Sequence, residues 1–207
     1  MTTPDTLAAR CDTHIAAHSL LQHPFYQAWS DGTLPVAALT DYAREYGSFI
    51  GRIADGWRTV GEPDIAAIEV GHAKVWATTF ADGLGTAVTA PEVRAVQALC
   101  ATADALFTDR VTALGALYAF EAQQPATARS KRAGLATHYS ALPASCETYF
   151  RLHEDDDHEP ALLAAGLNAL PAEDRARAEA ACAQMSVALW DALTGLHAPH
   201  AAACMAN

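Results

Sequence analysis

Three groups of side chains carry the chemistry that can be read from this chain. His153 and Asp157 are four residues apart. On a continuous helix that places them about 40° apart, on one face, where an imidazole and a carboxylate can share one divalent metal. Glu69 and His72 are three apart and would lie about 60° apart on a helix. Glu121 closes the apolar and aromatic run Leu117-Tyr118-Ala119-Phe120. A carboxylate there asks for a partner, because Glu is rarely buried unless paired. That partner is a cation, a metal, or water at the helix surface. Each signal also has an ordinary reading. The run from His153 to Glu159 is a charge run, and such runs are usually solvated. Glu69 with His72 reads equally as a surface carboxylate beside a half-buried imidazole.

Taken together, the three groups offer carboxylates and imidazoles from separate helices. That donor chemistry suits iron or manganese, and the pattern holds no thiolate of the kind a structural zinc site uses. Glu-x-x-His is also the spacing used in bundles that hold two irons between carboxylates. The elements that must position these groups all read at helical period. Leu7, Cys11, Ile15 and Leu20 mark a first helix, broken at His23-Pro24. Leu39, Tyr42, Tyr46, Phe49, Ile53 and Trp57 form one core-facing stripe over about 35–58. Pro63 opens a helix to about Leu84, before Gly85. Further helices follow Pro91, cover about 109–123, and follow Pro125. Another runs from Pro143 into the acidic residues 154–157, where Pro160 must end or kink it. The last runs from Pro171 to about Leu196. The expectation is an all-α chain of seven or eight helices, a single domain over 1–207 with a frayed tail at 202–207.

Composition bounds the function. The chain has 207 residues, 13 basic against 24 acidic, with a formal charge of -11. That excludes a general nucleic-acid binder and a polybasic membrane anchor. No apolar run approaches the ~20 residues a membrane helix needs. The N-terminus lacks the basic-then-apolar order of a signal peptide, so a cytoplasmic protein is expected. Five cysteines, Cys11, Cys100, Cys146, Cys182 and Cys204, are scattered without a CxxC, as thiols in a reducing compartment are.

Three segments carry a family resemblance. His23-Pro24-Phe25-Tyr26-Gln27-Ala28-Trp29-Ser30-Asp31-Gly32-Thr33-Leu34 resembles the opening segment of haem-oxygenase-like proteins of the TenA, PqqC and CADD group. Leu117 to Pro125, continuing through Ala128-Arg129-Ser130-Lys131-Arg132-Ala133-Gly134-Leu135, resembles the haem-oxygenase-like di-iron oxidases, the CADD-like branch best. Tyr149-Phe150-Arg151-Leu152-His153 is similar to the start of their metal-binding helix. The likeness covers roughly 15–160 and is patchy over 50–72.

The resemblance implies a haem-oxygenase-like helical bundle, a homodimer, and an oxygenase or oxidase that uses iron, two ions or one, with O2. Its substrate is a small molecule or the protein's own tyrosine. The ligands it implies are His72, Glu121, His153 and Asp157. Two family positions are changed. Pro160 stands where the last His belongs, leaving His158 as a candidate, although it lies about 140° from His153 on a regular helix. Ile65 stands where the early Glu belongs. Glu69, one turn from His72, is the better substitute than Glu62, which precedes Pro63. CADD-like members that make p-aminobenzoate are thought to consume their own tyrosine, with a lysine as nitrogen source. Tyr26 and Lys131 match those positions. Read without the resemblance, Tyr26 is an amphipathic anchor and Lys131 a surface helix residue. The changed ligands also leave a second class of function: a metal-free TenA- or PqqC-like enzyme or small-molecule binder, with a cavity lined by aromatics such as Tyr46, Trp76, Tyr118 and Phe120.

Overall fold

In a computed structural model, residues 6–204 are described, and they form helices and turns with no strand. The helices are α1 (Leu7–Ala17), α2 (Pro24–Ser30), α3 (Val36–Ile50), α4 (Ile53–Val60), α5 (Pro63–Val75), α6 (Arg94–Leu106), α7 (Arg110–Glu121), α8 (Gln124–His138), α9 (Thr148–His153), α10 (His158–Asn168), α11 (Ala172–His197) and α12 (Ala201–Cys204). Their starts follow the expected chemistry. Thr6 caps α1 through a bond from the Ala9 amide, and Asp109 caps α7 through the amides of Val111 and Thr112. Proline sits in the first turn of α2, α5 and α8, where no helical donor is lost. Gly61 ends α4 in the left-handed region at φ 97°, a conformation that favours glycine. Part of the tail expected to fray is helical, as α12; residues 205–207 and the N-terminal residues 1–5 lie outside the described ones.

Three departures from the sequence reading matter for the site. The helix expected over 35–58 is interrupted at Gly51-Arg52, between α3 and α4. Glycine is a weak helix former, and the Arg52 guanidinium bonds instead to Asp104 and to the Ser48 carbonyl. The apolar stripe survives the break, since Ile53 and Trp57 remain buried. Beyond α5 the chain widens into a π-helical segment, Trp76–Ala81. The Thr78 and Thr79 hydroxyls donate to the carbonyls of Lys74 and Val75, satisfying acceptors where the register changes. The Trp76 indole donates to the Ala43 carbonyl at 2.8 Å, which ties this segment to α3. Lastly, α9 ends at His153 and a turn over 154–157 leads into α10. Pro160 does not end a helix. It lies in the first turn of α10, where its missing N–H costs nothing.

The long helix α11 packs against α6 and α7. Contact with α7 is close at Gly115, where an added Cβ would collide with the Ala178 carbonyl oxygen. Elsewhere the core is aromatic: Trp29 of α2, Tyr42 of α3, Trp76 and Phe80 of the π-helical segment and Tyr149 and Phe150 of α9 meet edge to face. Gly115→Ala should therefore push α7 and α11 apart and cost about 3 kcal/mol, as overpacked cores do. Thermal unfolding followed by circular dichroism should show a fall of roughly 6–12 °C. An unchanged midpoint would mean that the two helices stand further apart.

Candidate metal centre

Four helices bring titratable groups to one end of the aromatic core. From α5 come Glu69, which is buried, and His72, one turn on, whose Nδ1 lies 2.6 Å from Glu69 Oε1. From α9 comes His153, buried, with its ring 4.5 Å from that of His72, centroid to centroid. One ligand atom each from Glu69, His72 and His153 lies within 4.8 Å of the other two. From α7 comes Glu121, also buried, which accepts a hydrogen bond from the Trp57 indole at 3.2 Å. From α10 comes Glu159, buried, which couples electrostatically with Glu69, Glu121 and His72.

The protonation of these groups follows from burial. Burial raises the Glu121 pKa well above the carboxylate range, and the charges of Glu69 and Glu159 add to the effect. Glu159 is pushed up to about 8 by burial, then by Glu69 and Asp156. His153 is pushed down to about 3 by burial, then by His72 and Lys131, so its imidazole is neutral. For His72, burial works downward, but the Glu69 hydrogen bond and the surrounding carboxylates outweigh it and the net shift is upward.

The sequence-derived candidates divide clearly. Glu69, His72, Glu121 and His153 converge, with Glu69 facing inward. Glu62 is the residue before α5 and is only half-buried. Asp157 and His158 are exposed, one just before α10 and the other its first residue. The one-face argument for His153 and Asp157 required a continuous helix, and α9 stops at His153. Within the acidic run, Glu154 bonds to Arg132 at 2.6 Å and Asp155 lies 3.6 Å from Arg129, so the middle of the run is a solvated, ion-paired surface. Its two ends, His153 and Glu159, are buried. Glu159 escaped the sequence reading; its one local signal was an acidic residue directly before a proline at a helix start.

Tyr26 and Lys131 form a second buried cluster. The Tyr26 hydroxyl shares a hydrogen bond with Tyr42 at 2.9 Å. The Lys131 amine stands 4.6 Å from the Tyr26 ring centroid and donates to the Tyr42 hydroxyl at 3.3 Å. Lys131 is only 5% exposed, which overturns its reading as a surface helix residue. Burial lowers its pKa to about 7 and raises that of Tyr26. Helix α9 joins the two clusters: the Phe150 ring lies 5.4 Å from the Lys131 amine, and His153 follows one turn later. Of the aromatics suggested as a cavity lining, Tyr46 stacks on Tyr42 at 4.8 Å and Trp76 meets Tyr149 at 4.8 Å. Phe120 meets Phe49 at 5.1 Å, and Tyr118 turns its hydroxyl to Asp12.

Fold and site together describe an all-helical bundle that gathers carboxylates and imidazoles at a buried centre. The chain belongs to the iron-containing redox enzyme family, whose model matches residues 52–191. The 4-aminobenzoate synthase of Nitrosomonas europaea is 29% identical, over 93% of this chain and 92% of that protein. Among solved structures, a TenA homologue from Pseudomonas syringae pathovar tomato superposes with a TM-score of 0.72 at 15% identity, covering 92% of this chain and 90% of its own. A CADD-like protein from Nostoc punctiforme has a TM-score of 0.66 at 22% identity, covering 93% and 96%. At those identities the two structures establish the shared helical fold. No described helix is long and apolar enough to cross a membrane.

The residues present fit the iron that the family name implies. His153 Nε2 is buried with no hydrogen-bond partner, and the nearby carboxylates repel one another unless protonated or bound to a cation. Glu121→Gln replaces a carboxyl that must be protonated to be buried with a neutral group, while keeping an acceptor for Trp57. In metal-free protein it should raise the unfolding midpoint by roughly 2–4 °C, about 1 kcal/mol. The rise in midpoint that Fe(II) confers on the native chain should shrink or vanish. A lowered midpoint without metal, together with an undiminished gain from Fe(II), would show that Glu121 is a structural hydrogen-bond acceptor alone.

Proposed function

We propose that this protein is an O2-activating iron oxidase that forms 4-aminobenzoate from its own Tyr26, with Lys131 as the source of nitrogen. The observation that carries this reading is the buried contact of the Lys131 amine over the Tyr26 ring, on the same core as the carboxylate and imidazole cluster. The name of the Nitrosomonas europaea relative supports it. Glu69, His72, Glu121 and His153 would hold the metal. Iron held there supplies the activation of O2 and the oxidising power the conversion needs.

The chain's own residues supply position and protonation state. Tyr42 fixes the Tyr26 hydroxyl, and Phe25 and Trp29 pack against the Tyr26 ring at 5.9 and 6.3 Å. The para placement of Cβ and hydroxyl on a tyrosine ring matches that of carboxyl and amino groups in the product. With no carboxylate beside it among the described residues, the buried Lys131 gives up its proton near neutrality, and its nitrogen then has a free electron pair. Burial of both residues keeps water from competing for the reacting ring.

Tyr26→Phe should abolish product and leave iron loading intact, and peptide mass spectrometry of turned-over native protein should show altered mass at Tyr26. Unchanged product in the variant would remove the self-sacrifice reading. Protein labelled with 15N-lysine should yield 15N-product; unlabelled product would exclude Lys131. The pH dependence has a defined sign. Folding lowers the Lys131 pKa from 10.5 to about 7, so the reactive neutral amine grows in as pH rises through 7. Single-turnover product formation should rise between pH 6 and 8. A fall over that range would contradict a free-amine role.

A further inference from the structure

We propose that Glu159 is a metal ligand of this chain, taking the place that the family pattern gives to a residue at Asp157 or beyond. The proposal rests on the reading that Glu69, His72, Glu121 and His153 hold a metal. Glu159 is the second residue of α10 and is 5% exposed. Among the described residues no hydrogen bond or ion pair satisfies its carboxylate. Its charge acts on Glu69, on Glu121 and on His72, three groups supplied by two other helices. Helix α10 packs directly on α7, the helix that carries Glu121. An independent sign of a missing partner lies across the cluster: His153 Nε2 is buried and bonded to nothing.

The turn over 154–157 explains the exchange of ligands. A continuous helix from His153 would carry Asp157 inward on the next turn. The chain leaves the helix at His153 and re-enters one at His158, so the inward face is taken up again two residues beyond Asp157. Asp156 receives the His158 amide at 3.1 Å and helps fix the turn. Pro160 then locks the first turn of α10 in place. The donor set becomes three carboxylates with two imidazoles. An uncompensated carboxylate in such a place is costly, and a divalent cation offsets it.

The test is anaerobic binding of Fe(II), with Co(II) absorption as a second readout that needs no turnover. Glu159→Gln should bind one equivalent fewer than the native chain, or bind roughly tenfold or more weakly. Its unfolding midpoint without metal should match or exceed the native value. Asp157→Asn and His158→Ala should bind as the native chain does. Glu159→Ala should behave like Glu159→Gln and recover Co(II) binding when acetate is added. Native-like binding by Glu159→Gln, or loss of binding in Asp157→Asn or His158→Ala, overturns the proposal while leaving the centre itself standing. Absence of specific Fe(II) or Co(II) binding by the native chain defeats the underlying reading instead.

Discussion

Buried carboxylates that face one another are the constraint on which this structure turns. Glu69, Glu121 and Glu159 come from three helices and share a space largely closed to water. At an effective dielectric of about 20, two unit charges 4 Å apart repel by roughly 4 kcal/mol. A fold whose net stability is on the order of 10 kcal/mol cannot carry several such repulsions unrelieved. Protons relieve them in the metal-free protein, which is why burial and neighbouring charge drive the Glu121 and Glu159 carboxyls toward the neutral acid. A cation held there would relieve them more fully and would also satisfy His153 Nε2. The helices around the cluster are pinned accordingly: α7 against α11 at Gly115, the extension of α5 to α3 through Trp76, and the start of α10 by Pro160.

The second cluster depends on the opposite imbalance. Lys131 is a base buried among aromatic rings, with no acidic partner among the described residues, so its neutral form is favoured. Its positive form would also oppose the protonation of His153. Acidic groups gather on one side and a cation-poor aromatic pocket with a single amine on the other, with α9 between them. That division keeps the amine free of the carboxylates that would otherwise hold it as an ammonium.

Much of this was legible from residue order. Helical period marks nearly every element, and the prolines mark most of the starts. Glu69 with His72 was readable because the spacing of three falls within one unbroken helix. Glu121 stood out as a lone carboxylate in an apolar run. Asp157 stands on the surface and not on the face of His153 because the spacing argument assumed a continuous helix, and Arg129 and Arg132 of α8 bind the acidic turn where the helix stops. Those are tertiary contacts that no local pattern displays. The π-helical widening after His72 leaves no mark on an apolar periodicity either. Lys131 could not be recognised as buried from composition or spacing, since its neighbours Arg129, Ser130 and Arg132 are polar; only the family resemblance pointed to it.

The central claim, that this bundle closes around iron at one defined place, is tested most directly by anomalous diffraction. Crystals grown anaerobically with Fe(II) would be measured on both sides of the iron absorption edge. The expected result is an iron peak within bonding distance of Glu69, His72 and His153, on the side toward Glu121. Crystals that contain iron but show no peak at those residues, or a peak only elsewhere on the surface, would contradict it.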